Sequence, residues 1–322
     1  MTETVVKTPT AGELLKDSPK NWGKWGPDDE VGSLNYLTQE HILSSLRSVK
    51  QGKVFTLQVP MANPEGDPVW PGRVGAQRYM VIDKGLWLAG KGPAFPGGLE
   101  YADDFMACFL QGSTQYDALG HVWFGDQIYN GYDAKSTVGG LSKASVTPIA
   151  RRGIVGRGVL IDMARHRGKD ALDKGETFTH EDVMACAEKQ GTAIEKRDIL
   201  VIRTGWIGKY YKIPHEDFYK DFNEPGLTFS NELVEWFHEM EIPNLVTDTI
   251  ANEVTVDPVS GVLLPLHCAL MSNLGVTFTE IAWLDDLAED SANDRQYDFL
   301  YTAAPLKIVN ATGAPVNPVV IK

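Results

Sequence analysis

Three short, uninterrupted apolar runs limit what this chain can fold into: RGVLIDM (157–163), ILVIRTG (199–205) and NLVTDT (244–249). A strand with one wet face alternates apolar and polar residues, whereas continuous runs of Val, Ile and Leu suit strands covered on both faces. The stretches between the runs carry helical signals. Thr179 and Asp182 open a helix as a capping box does, EDVMACAEKQ continues it, and Gly191 ends it. A further helix starts at Ser230, carries Leu233, Trp236 and Phe237, and stops before Pro243. Strands alternating with helices predict an α/β protein. Upstream, VFTLQVPM (54–61), RYMVID (78–83) and ACFLQ (107–111) read as more strands. Thr38 caps a helix to about Val49, closed by Gly52, with Ile42, Leu43 and Leu46 as its apolar stripe.

At 322 residues the chain has room for one large core or two ordinary domains. No repeat, low-complexity tract or linker marks a boundary, so the expectation is one domain over 22–322 behind a flexible N-terminal extension, 1–21. The formal net charge is -13 and the basic residues are scattered, which argues against nucleic acid or an anionic membrane as partner and for a small molecule. Three cysteines far apart, with no CxxC, fit reduced thiols. No apolar run approaches the length of a signal core or a membrane span, so a cytoplasmic protein is expected.

The segment QGSTQYDALGH (111–121) carries the chemistry. In a strand, residues two apart share a face, so Gln111, Ser113, Gln115 and Asp117 would project together, with His121 four residues beyond. Such a polar face needs water or a ligand. A solvent-facing strand shows the same alternation, so these residues alone leave both readings open.

The segment resembles the signature of the metal-dependent cyclase family, which includes bacterial kynurenine formamidase, isatin hydrolase and trans-dienelactone hydrolase. That signature runs His-x-Gly-Thr-His-x-Asp-x-x-x-His. Gln111 and Gln115 stand where the family has its first two metal-binding histidines, Ser113 replaces the glycine, and Thr114 keeps the threonine. Asp117 matches the metal-binding aspartate and His121 the acid/base histidine. PVWPG (68–72) is similar to a loop whose tryptophan borders the substrate, making Trp70 a candidate pocket wall. LPLH, ending at His267, and Glu280 resemble the second ligand pair of two-metal members. WGPDDEVGSLNYLT (25–38) and APLKIVNATGAPVNPVVI (304–321) extend the resemblance over most of the chain.

The resemblance implies a swivelling β/β/α fold, a mixed sheet or small barrel flanked by helices, usually in a homo-oligomer. It also implies hydrolysis of a small cyclic lactone, cyclic amide or arylformamide at a divalent metal, with Asp117, His267 and Glu280 as its core, Gln111 and Gln115 adding oxygens, and His121 as acid/base. Amide oxygens are harder and weaker donors than imidazole, which favours Mg, Ca or Mn over Zn. Two rivals share the pocket: a metal-independent lyase or isomerase in which the glutamines hold a carbonyl, and a small-molecule-binding protein without turnover. The acid-rich block around His215 could hold ligands but reads as a solvated loop, the arginines beside His166 could receive a carboxylate but read as a surface turn, His180 reads as structural in the first helical turn, and His41 and His238 carry no pattern. GxSxG, P-loop and dinucleotide signatures are missing from the sequence.

Overall fold

The computed structural model describes residues 8–322. In chain order the strands are β1 (Val54–Thr56), β2 (Gln77–Ile82), β3 (Asp103–Ala107), β4 (Gln115–Asp117), β5 (Ile154–Asp162), β6 (Thr177–Phe178) and β7 (Ile199–Arg203). They continue with β8 (Gly226–Leu227), β9 (Asn244–Thr247), β10 (Thr277–Glu280), β11 (Asp298–Ala303), β12 (Gly313–Pro315) and β13 (Val319–Ile321). Nine of them form one curled sheet in the order β1-β13-β11-β5-β7-β9-β10-β4-β12. This is the α/β class that the alternating elements predict, in the mixed, helix-flanked sheet that the resemblance implies.

The three apolar runs are its centre. β5, β7, β9 and β10 lie side by side and parallel, and β7, β9 and β10 are buried along nearly their whole length. Parallel neighbours need crossovers, and the predicted helices supply them. His180–Gln190 has Thr179 and Asp182 as a reciprocal capping box and Gly191 in the left-handed region. Asn231–Glu239 is capped by the Ser230 side chain and buries Leu233 and Phe237. Among the described residues no helix is long and apolar enough to cross a membrane.

Three expectations change. The helix capped by Thr38 is only Gln39–Ser45, followed by a 3-10 turn, Leu46–Ser48. Its predicted stripe is not the buried side: Leu43 and Leu46 are 67% and 51% exposed, and Ser45 is buried. A small residue at the contact lets this short helix lie close to β5, a packing that a hydrophobicity pattern does not encode. The strand expected at 107–111 is instead β3, ending at Ala107, and the chain then turns, with the Gly112 amide donating to the Phe109 carbonyl at 3.1 Å. β2 and β3 pair only with each other, as an arm outside the main sheet. Of the extension expected over 1–21, residues 1–7 lie outside the described residues. The rest is packed: Thr10 and Glu13 form a capping box, Leu15 is buried in the core, and the Asn21 amide donates to Asn273 at 2.9 Å.

Candidate metal centre

Register places the polar side chains. β4 is three residues long, fully buried, and antiparallel to both neighbours, β10 and β12. Gln115 stands opposite Glu280, and Asp117 stands opposite Gly313. Strand alternation therefore puts Gln115 and Asp117 on one face, while Tyr116 points to the other, where its hydroxyl meets that of Tyr301 at 3.0 Å. Gln111 and Ser113 lie in the preceding turn, so the shared face predicted for four residues holds for two. Although off the strand, the Gln111 side chain is buried and donates to Thr312 Oγ1 at 3.1 Å. Thr114 clamps the turn: its hydroxyl donates to the Ile281 carbonyl at 2.6 Å and accepts from the Val59 amide at 2.9 Å. Gly313 is required here, because a Cβ would fall 2.6 Å from Gln111 Nε2 and 3.3 Å from Asp117 Oδ1.

His267 arrives from another element, the first residue of a π-type helical turn, His267–Leu274, that precedes β10. Glu253 fixes this turn. Its carboxylate accepts from the backbone amides of Leu266 and His267 at 2.8 and 2.7 Å, satisfying donors that a helix start leaves free. The same carboxylate lies 2.7 Å from His267 Nδ1, leaving Nε2 to face Glu280 Oε1 at 3.3 Å. Gln115 Nε2 donates to the other Glu280 oxygen at 2.6 Å. Asp117, His267 and Glu280 each offer a ligating atom, all within 4.8 Å of one another, and all three residues are buried.

The charges are not balanced by the protein alone. Burial, then the nearby Asp117 charge, push Glu280 up to about 7. Burial opposes charge on His267, yet hydrogen bonds to Glu253 and Glu280 raise it to about 10. Both Asp117 carboxylate oxygens and Gln115 Oε1 are buried without a hydrogen-bond partner among the described residues. Orphaned carboxylate oxygens are costly unless a cation or proton meets them.

His121 is half-buried beside this cluster. Burial lowers its pKa; Asp117 opposes that shift, and His267 and Arg73 add to it. Trp70 sits elsewhere in contact terms, edge-on to Phe222 at 5.5 Å and packed against a second apolar cluster that includes Trp206 and Phe218. Glu280 is buried, as a ligand of the cluster would have to be. His215 stacks on Tyr210 at 4.1 Å, and His41 Nδ1 lies 2.7 Å from the capping hydroxyl of Thr38.

The structure adds residues that sequence reasoning missed. Glu253 had no signal, because neither a motif nor a spacing links it to His267, fourteen positions on. Arg73, three residues past Trp70, donates to the Gln111 carbonyl at 3.0 Å and brings positive charge to the site's edge. Glu224, fully buried, accepts from the Ile250 amide at 2.8 Å and is raised well above the usual carboxylate range, first by burial.

Residues 55–254 match the family model named Cyclase. The crystal structure of a novel cyclase superposes with a TM-score of 0.86 at 37% identity, covering 94% of this chain and 100% of that one. Isatin hydrolase A from Labrenzia aggregata, bound to benzyl benzoate, superposes with a TM-score of 0.57 at 20% identity, covering 89% and 98% of the two chains. Isatin hydrolase A from Ralstonia solanacearum gives a TM-score of 0.59 at 17% identity, covering 88% and 97%. The two hydrolases share the fold. No curated protein matches the chain.

Proposed function

This chain belongs to the cyclase family, and from that premise we propose that it is a metal-dependent hydrolase of a small cyclic lactone, cyclic amide or arylformamide, residues 22–322 working as one domain. The observation that carries the reading is Asp117: a buried carboxylate with both oxygens unpartnered, sharing a 4.8 Å cluster with His267 and Glu280. These residues fit a divalent cation. Two carboxylates and an imidazole form a hard, oxygen-rich donor set, and Gln115 Oε1 is a further free oxygen, which favours Mn or Mg. When bound, such an ion supplies Lewis acidity, polarising a carbonyl and making water a nucleophile near neutral pH.

The chain's own residues do the rest. Glu253 takes the Nδ1 hydrogen of His267, which fixes the tautomer and aims the Nε2 lone pair into the cluster. Gln115 holds Glu280 in place through its amide hydrogen bond. His121, next to Asp117 and open on one side, moves the proton to the leaving nitrogen or oxygen. Arg73 borders the cluster through its bond to the Gln111 carbonyl, and Trp70, three residues earlier on the same loop, is the candidate to border the substrate farther out. Isatin hydrolases, whose fold this chain shares, open a cyclic amide by name, and that supports the substrate class.

The test is elemental analysis of protein purified without chelator, with a screen of lactones, cyclic amides and arylformamides before and after chelation. About one equivalent of a divalent metal, and turnover lost on chelation and restored by Mn or Mg, is the expected result. Turnover that survives exhaustive chelation would favour the metal-free lyase or isomerase. A second expectation concerns Glu253→Gln, which keeps one oxygen for the His267 amide and Nδ1, gives up the acceptor of the Leu266 amide, and loses the charge behind His267. Mn affinity should fall roughly 10- to 100-fold in a titration, with the far-UV spectrum unchanged.

A further inference from the structure

A cavity of about 90 Å³ opens at the carboxyl end of β5, where the sheet changes from parallel pairing with β7 to antiparallel pairing with β11. Crevices outside strand carboxyl ends are where open α/β sheets take ligands. Arg165, His166, Lys189 and Arg295 line this one, against a single carboxylate, Asp162. The whole chain has 43 acidic and 30 basic residues, so composition alone would not gather cations here. Asp162 is already committed. It accepts from the Arg165 amide at 3.0 Å, from Arg165 Nε at 3.2 Å and from Arg203 at 2.9 Å, while the far end of Arg165 meets Glu289 at 2.9 Å. Neither Lys189 nor Arg295 pairs with a carboxylate among the described residues, and Lys189 Nζ reaches only the His166 carbonyl, at 3.3 Å.

Two neutral groups complete the wall. His166 Nδ1 is buried and has no hydrogen-bond partner among the described residues. Tyr297 is 3% exposed; burial raises its hydroxyl pKa and the Arg295 and Arg165 charges oppose the rise, so both guanidinium groups lie near it. Gln190 fixes the floor. Its Nε2 donates to the Leu160 carbonyl at 2.7 Å and its Oε1 accepts from the Asp162 amide at 2.8 Å, which ties the helix His180–Gln190 to β5 and shapes the cavity before any ligand arrives.

We propose that this cavity is a second ligand site, which binds the phosphoryl group of a small molecule. Its volume suits a group of a few heavy atoms, with the rest of the molecule outside. Two unpaired cations match a dianion: Arg295 offers a planar fork to two oxygens and Lys189 a point charge to a third. A single carboxylate would leave one of them unanswered. β5 stands four strand spacings from β4 in the sheet, so the site is separate from the metal cluster and does not rest on the reading of that cluster.

Calorimetric titration of the full chain at low ionic strength tests this, with inorganic phosphate, glycerol phosphate and acetate as probes. Phosphate or its glycerol ester should bind at about one equivalent, and acetate roughly tenfold more weakly. The tighter of the first two tells whether free or esterified phosphate is the natural form. Lys189→Gln and Arg295→Gln, both at exposed positions, should each weaken phosphate roughly tenfold with an unchanged far-UV spectrum. Asp117→Ala should bind phosphate as wild type does. The proposal is overturned by a wild type that binds neither phosphate probe, by unchanged affinity in both folded glutamine variants, by acetate binding as tightly as phosphate, or by affinity lost in Asp117→Ala.

Discussion

Asp117→Ala should give a folded protein that binds no divalent cation and turns over no substrate. The stability readout is the sharper one, because its sign depends on the metal. Without metal, wild type buries a carboxylate whose oxygens have no partner, beside Glu280, which burial and that same charge already push up to about 7. Alanine removes this uncompensated charge, so in chelator the variant should melt no lower than wild type. With Mn in hundredfold excess over its Kd, wild type gains about 2.7 kcal/mol by linkage and the variant gains nothing. Melting curves in chelator and in Mn therefore cross for wild type and variant. A variant that melts well below wild type in chelator would mean that Asp117 is a structural carboxylate.

The sheet centre was legible because three runs of Val, Ile and Leu admit few alternatives once helices with clear caps lie between them. The arm was not. RYMVID reads as an ordinary strand, and nothing in six residues tells that it pairs outside the main sheet. The helix after Thr38 failed for a related reason: Leu43 and Leu46 make a periodic stripe, but a short helix against β5 is better served by Ser45 at the contact. Periodicity reports what could be buried, and the neighbouring element decides what is.

The site divides along the same line. Gln115 and Asp117 are two apart in a real strand, and their shared face follows from alternation alone. Gln111 reaches the same region from a turn, held by Arg73 and Thr312, which no alternation argument foresees. His267 and Glu280 came from resemblance, and each by itself reads as a helix start and a surface acid. Their approach to Asp117 depends on β10 pairing with β4 while running parallel to β9. Glu253 was invisible, since its role is to cap a helical turn and hold an imidazole, and any buried carboxylate near in space would serve. The glutamines make sense in this frame. Where the family signature has imidazoles, this chain has an amide that grips a Glu280 oxygen and another that grips Thr312, an arrangement that suits the proposed centre built mainly on carboxylates.

His121→Ala should separate holding the metal from moving the proton. Outside the cluster of ligating atoms, the side chain should leave metal content and the Mn-induced gain in melting temperature unchanged. Turnover should fall ~10²- to 10⁴-fold, the usual worth of a positioned acid or base and about 3–5 kcal/mol of barrier. The pH profile distinguishes proton transfer from packing. Burial, reinforced by His267 and Arg73 and opposed by Asp117, lowers the His121 pKa from its ordinary value. A neutral imidazole then persists to lower pH, so the acid limb of the wild-type kcat profile should sit below the usual histidine range. A bound cation, being positive, moves it in the same direction. In the alanine variant that limb should disappear, and added imidazole should restore part of the rate. A variant with full turnover would remove His121 from the reaction. A slow variant that keeps the wild-type acid limb would make it a positioning residue and leave the proton to another group.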